Sequence, residues 1–230
     1  MQALDEADRQ ALRQPALLRA AVEFHVSPAR YVHPERLPTL GFSDPALFAR
    51  LTEFPRGERR LSELISKRAE LPHDGGFQFA ADRYRIALLP FPVIERLTTL
   101  ASAASLRRDL SILIDRNSRQ RMEAVMGVEA MDFALKEAAV KLGPLCVDHW
   151  APGPNTDLAA RFHDNRSRCL EDCMAEAPQA ITARLALKLP PNWDCDFTGR
   201  VPPERADKAW SMIRRLLKSK IPEGGGPCFA

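Results

Sequence analysis

Apolar positions recur at helical spacing along most of the chain, and prolines and glycines cut that pattern into segments. Residues 2–13 alternate Ala and Leu with charge, and Pro15 separates them from residues 16–23, where Leu17, Leu18, Ala21 and Val22 are apolar. Pro28, Pro34 and Pro38 make residues 24–41 irregular, with room for one short helical turn. Asp44-Pro45 reads as a cap followed by proline in the first turn, opening a helix over 46–53. Residues 58–71 predict another helix, with Leu61, Leu64, Ile65 and Leu71 on one side.

Pro72, Asp74, Gly75 and Gly76 break the pattern, so residues 71–79 are the most plausible internal boundary. Residues 92–142 are nearly free of proline and read as helical. Val128, Met131, Leu135, Ala138, Ala139 and Leu142 form an apolar stripe, and Glu137 and Lys141 a pair four apart. Gly143-Pro144 stops that run. Asn155, Thr156 and Asp157 supply capping chemistry for a helix reaching about residue 175. Leu185, Leu187 and Leu189 alternate with Arg184, Ala186 and Lys188, which permits a short strand over 183–189 or a distorted helix. Residues 204–220 form an amphipathic helix, with Ala206, Ala209, Trp210, Ile213, Leu216 and Leu217 on one face. Tyr31, Trp150 and Trp210 are expected in the core, because large aromatics dominate burial. The pattern describes a mainly α protein, a single-domain irregular helical bundle with proline-rich loops and at most one or two short strands. Residues 1–20 would be a helical extension, 21–221 the domain, and 222–230 a flexible glycine-rich tail.

Composition leaves the fold class in place and narrows the function. Of the 230 residues, 45% are hydrophobic and 27% charged, as in globular proteins rather than disordered ones. Net charge is +3, too mild to name a nucleic-acid partner. The apolar runs IALLPFPVI and LTTLASAASL fall short of the roughly 20 residues that span a bilayer, and residues 1–10 lack the features of a secretory signal, so a cytoplasmic protein with reduced thiols is expected.

Candidate chemistry is sparse. No glycine-rich phosphate loop, GxSxG or HExxH occurs. His163, Cys169 and Cys173 invite a zinc reading. On a helix the two cysteines lie about 40° apart, but His163 points about 120° from Cys169, so two buried thiols are expected instead. Asp194 and Asp196 suit a solvated loop better than a cation site. Asp148-His149 has no aligned nucleophile, and no cofactor or metal is assigned. Arg107, Arg108, Arg116, Arg119 and Arg121 form a basic stretch, and residues 204–220 carry six bases against two acids. Such surfaces suit a solvated face, a protein partner or phosphates, and a helical nucleic-acid-binding regulator is the alternative reading.

Several patches carry a family resemblance in shared order. Phe24, Pro28, Tyr31, Val32, His33, Leu37 and Pro38 come first, then Gly143 and Pro144 followed by His149 and Trp150. The basic, leucine-alternating run from Arg184 to Pro190 follows, and the chain closes on Ile221-Pro222 and Cys228-Phe229 after the basic helix. In these patches the chain resembles the SctK family, also called YscK, of type III secretion. Leu145-Cys146 departs from it, standing where a Trp-Pro-like pair is expected. The resemblance implies a non-enzymatic adaptor of the cytosolic sorting platform. It would link an SctD-type inner-membrane ring protein to an SctQ-type pod protein, with indirect links to the SctL stator and the SctN ATPase. It would work in the cytoplasm at the inner membrane, without inserting into it and without binding nucleic acid. Arg30, Glu35, Arg36, Arg215 and Lys218 are the candidate partner-binding residues, on charged surfaces able to steer a partner.

Overall fold

Proline sets where several helices begin, because its fixed φ suits the first turn and its missing N–H costs nothing there. A computed structural model describes residues 13–72, 77–146, 150, 157–193, 195–221 and 229. In it α1 (Pro15–Val26), α2 (Pro45–Thr52), α3 (Pro55–Arg68) and α11 (Pro203–Lys220) each open on proline. Aspartates cap others. The Asp44 carboxylate accepts the Leu47 N–H at 2.9 Å ahead of α2. Asp115 accepts the Ser118 N–H at 2.8 Å ahead of α6 (Arg116–Met126). Asp157 accepts from Ala159 and Ala160 ahead of α9 (Leu158–Cys173). The remaining helices are α4 (Phe91–Ser105), α5 (Arg107–Ser111), α7 (Val128–Asp132), α8 (Ala138–Leu142) and α10 (Gln179–Lys188). The fold is mainly α, with no strand among the described residues.

The chain divides into two compact units. Unit 1 takes in the described residues of Met1–Phe91, Glu176–Asp194 and Gly226–Ala230, and unit 2 those of Pro92–Ala175 and Cys195–Gly225. The division falls at Phe91/Pro92, inside α4, rather than in the stretch 71–79. Helix α1 runs unbroken through residue 20. The expected helix 2–13 and the glycine-rich tail lie outside the described residues, apart from Arg13 and Phe229.

In unit 1, Val32, Leu37, Leu40, Phe48, Leu61, Ile65 and Leu187 form one buried cluster. Two short 3₁₀ turns, Pro28–Arg30 and Pro34–Arg36, replace the single turn expected between α1 and α2. Of residues 183–189, which permitted a short strand, 183–188 are instead part of α10 and Leu189 follows it in extended backbone. Arg184, Leu185, Leu187 and Lys188 of that helix are all buried, so the alternation does not separate an inner from an outer face.

In unit 2, α4 is buried around nearly its whole circumference from Leu100 to Ser105, as its uncharged sequence allows. The Ser102 hydroxyl donates to the Phe162 carbonyl at 2.7 Å, and the Asn165 amide donates to the Ser105 hydroxyl at 2.9 Å, tying α4 to α9. Gly127 (φ +84°) and Gly143 (φ +57°) end α6 and α8 in conformations that favour glycine. Between α7 and α8 lies a π turn, Phe133–Glu137. The extra residue in that turn rotates later positions by about 100° and splits the expected stripe. Met131, Ala138 and Leu142 are buried, Leu135 is half-buried, and Val128 (64%) and Ala139 are exposed.

A buried carboxylate organises unit 2. Asp172 of α9 is fully buried and accepts from the Trp150 indole at 2.7 Å and from Arg205 Nε and Nη2 of α11 at 3.0 and 2.8 Å. Trp150 is a core residue as expected, whereas Trp210 and Tyr31 are only half-buried. Removing the carboxylate would strand a buried indole N–H and a guanidinium. Asp172→Ala is expected to destabilise by about 3–5 kcal/mol, and Asp172→Asn, which keeps an acceptor, by less. Urea denaturation of the purified variants measures both.

Candidate functional site

The metal reading fails on geometry. Cys169 and Cys173 are fully buried while His163, on the same helix, is exposed. No group of acids, histidines and cysteines among the described residues converges as metal ligands would. Asp196 accepts from the Thr198 N–H and hydroxyl at 2.8 and 2.6 Å, a local turn. Asp148, His149, Asp194 and Cys228 lie outside the described residues.

The motif residues of unit 1 form one packed constellation. Phe24 and Tyr31 stack with ring centroids 5.3 Å apart, and the Tyr31 hydroxyl donates to the Phe24 carbonyl at 2.7 Å. Burial pushes the Tyr31 phenol well above its ordinary range, against the smaller opposing pull of Arg184. Lys188, buried at the end of α10, lies 5.1 Å from the centre of each ring and donates to the Ala87 and Leu89 carbonyls at 2.6 and 2.9 Å. The His33 N–H donates to the Leu187 carbonyl at 2.8 Å. Its Nδ1 accepts the Glu35 N–H at 3.3 Å, capping the turn. Pro28 and Leu37 are buried and Pro38 is exposed. The N-terminal motif and the leucine-alternating run, some 150 residues apart, are therefore the two halves of one packing unit.

The candidate binding residues fall into two kinds. Arg36 is a strut, donating through Nε to the Leu189 carbonyl at 2.6 Å and through Nη2 to the Pro190 carbonyl at 3.4 Å. Arg215 donates to the Leu142 carbonyl at 3.0 Å, beside Gly143 and the exposed Pro144. Glu35 and Lys218 are exposed. Arg30 is exposed and pairs with Glu23 at 3.0 Å and Glu58 at 3.7 Å. On α11, Arg205 and Lys220 are tied to Asp172 and Glu137, which leaves Lys208, Arg214 and Lys218 facing outward.

Two surfaces escaped the sequence reading. Leu17, Ala21 and Phe24 form the inner stripe of α1, while Leu18, Val22 and Val26 (63%) form a second, exposed one. With Arg19 and Arg30 this outer stripe lines a groove of about 430 Å³. Leu47 and Leu51 of α2, with Phe54 (63%), make another exposed apolar stripe. The four-residue spacing 18, 22, 26 was visible, but spacing alone does not say which of two apolar faces is covered.

His25 closes α1 against the rings of Phe77 (4.8 Å) and Phe79 (5.9 Å), and its Nε2 is buried with no hydrogen-bond partner among the described residues. Burial, then the Arg184 charge, lowers its pKa to about 3. The imidazole stays neutral in the fold while the unfolded chain takes up a proton below pH about 6.5, so stability is full above that pH and falls as pH drops toward 3. The expected loss through His25 is about 1.4 kcal/mol per pH unit within that window. His25→Phe should remove that slope from urea-denaturation curves taken at several pH values.

No curated protein and no solved structure matches the chain. A family model does match, over residues 19–224. That span holds both halves of the packed motif, the motif residues Gly143, Pro144 and Trp150 and the whole of α11, and it places the chain in a type III secretion family: the protein belongs to the YscK family, described as YOP proteins translocation protein K.

Proposed function

We propose that the protein is a non-enzymatic adaptor of the type III secretion sorting platform, joining an SctD-type inner-membrane ring protein to an SctQ-type pod protein. The family match over residues 19–224 carries this reading. The surfaces support it. An adaptor needs faces left uncovered by its own fold, and unit 1 leaves the outer stripes of α1 and α2 open, while unit 2 presents Lys208, Arg214 and Lys218. The adaptor works in the cytoplasm and reaches the inner membrane through the ring protein. Through the pod protein it connects to the SctL stator and the SctN ATPase.

Size-exclusion chromatography with light scattering tests the reading directly. The purified chain is mixed with the pod protein and, separately, with the cytosolic domain of the ring protein. Co-elution with each is expected. Val26→Asp and Phe54→Ala alter exposed positions, so stability should hold within about 0.5 kcal/mol while docking weakens about tenfold or more. Separate elution of the folded components at low salt would remove the proposal.

A further inference from the structure

The arginine stretch of unit 2 surrounds an apolar tip. Helix α5 ends at Ser111, the chain turns at Ile112, and α6 starts at Arg116. Leu110 is fully buried and anchors the turn, and Leu113 is half-buried. Ile112 and Ile114 point the other way, 68% and 95% exposed. One exposed isoleucine is ordinary. Two in a four-residue loop, with five arginines within seven residues of it, form a distinct surface.

The charges are sorted. Asp109 is held by Arg161 at 2.8 Å, and Asp115 is occupied in capping α6. Arg108, Arg116, Arg119 and Arg121 are exposed and Arg107 is half-buried, and none of the five forms an ion pair among the described residues. The acids thus serve the fold, and most of the arginines face solvent.

We propose that the Ile112–Ile114 loop and its flanking arginines form a peripheral contact with an anionic phospholipid surface. A projecting apolar tip finds no groove to fill on a rigid partner unless one is shaped for it, whereas lipid closes around it. Isoleucine gains free energy on leaving water for the headgroup–acyl boundary, and arginine's long stem lets its guanidinium reach lipid phosphates from beside the tip. Duplex nucleic acid would use the arginines and leave the isoleucines in water, and the loop has no aromatic side chain for base stacking. A contact of this kind needs no membrane-spanning helix, and none of the described helices is long and apolar enough to be one. It lies in unit 2 and goes beyond the adaptor reading.

Vesicle flotation with the full chain tests it, using phosphatidylcholine alone and phosphatidylcholine mixed with phosphatidylglycerol. The chain should float with the anionic vesicles at low salt and stay behind with the neutral ones. Ile112→Ser/Ile114→Ser should cut partitioning about tenfold or more, and Arg116→Gln or Arg119→Gln about fivefold each. All these positions are exposed, so unchanged thermal melts show that the fold is kept. Ile114→Trp should gain a blue-shifted emission component with anionic vesicles only. Failure of the folded chain to float would overturn the proposal, and so would flotation that the serine variant leaves unchanged. Duplex DNA that binds the wild type and the serine variant alike and strips the chain from vesicles would identify a nucleic-acid surface instead, and would overturn it too.

Discussion

The placement of the Lys188 ammonium governs unit 1. It is buried, and a buried charge is costly unless its donors are satisfied. Two carbonyls, of Ala87 and Leu89, and the faces of Phe24 and Tyr31 meet it. Those contacts recruit three distant parts of the chain: the end of α1 with its following turn, the 3₁₀ segment Asp82–Leu88, and the end of α10. The backbone bond from His33 to Leu187 and the Arg36 strut onto Leu189 and Pro190 extend the same junction toward the second 3₁₀ turn. A proline-rich segment with little helix of its own is thereby fixed in one conformation.

Asp172 plays the matching part in unit 2, where a single carboxylate serves Trp150 and Arg205. Both units are held by charged groups turned inward onto a few specific partners. This explains why the chain carries so much charge near its family motifs. Arg36, Arg184, Lys188 and Arg205 hold backbone and side-chain acceptors in place. The apolar stripes of α1 and α2, the Lys218 side of α11 and the isoleucine loop with its arginines face outward.

Helix positions were legible because proline and aspartate mark first turns by a local rule, and Pro15, Asp44-Pro45 and Asp157 obey it. The apolar face of α11 was legible too, with Met212 added to it and Trp210 only half inside. Three features needed tertiary information. Arg184 and Lys188 look like the solvated face of a strand until the carbonyls they reach are known. The π turn at Phe133–Glu137 shifts a register that a helix of constant pitch would keep. Helix α1 carries two apolar stripes, and only packing reveals that Leu17, Ala21 and Phe24 are covered while Leu18, Val22 and Val26 are not. Among the candidate binding residues, Arg36 was legible only as a charge within the proline-rich segment, and its bonds to the Leu189 and Pro190 carbonyls were not.

Hydrogen exchange on a Lys188→Met variant tests the dependence on this junction most directly. Methionine keeps the apolar stem and removes the donor, leaving the Ala87 and Leu89 carbonyls without it. The account predicts a stability loss of about 2–4 kcal/mol and faster exchange across residues 31–42, where the His33, Arg36 and Leu40 amides are bonded. Unchanged exchange across those residues, with stability intact, would contradict the claim that the buried ammonium holds the N-terminal motif in place.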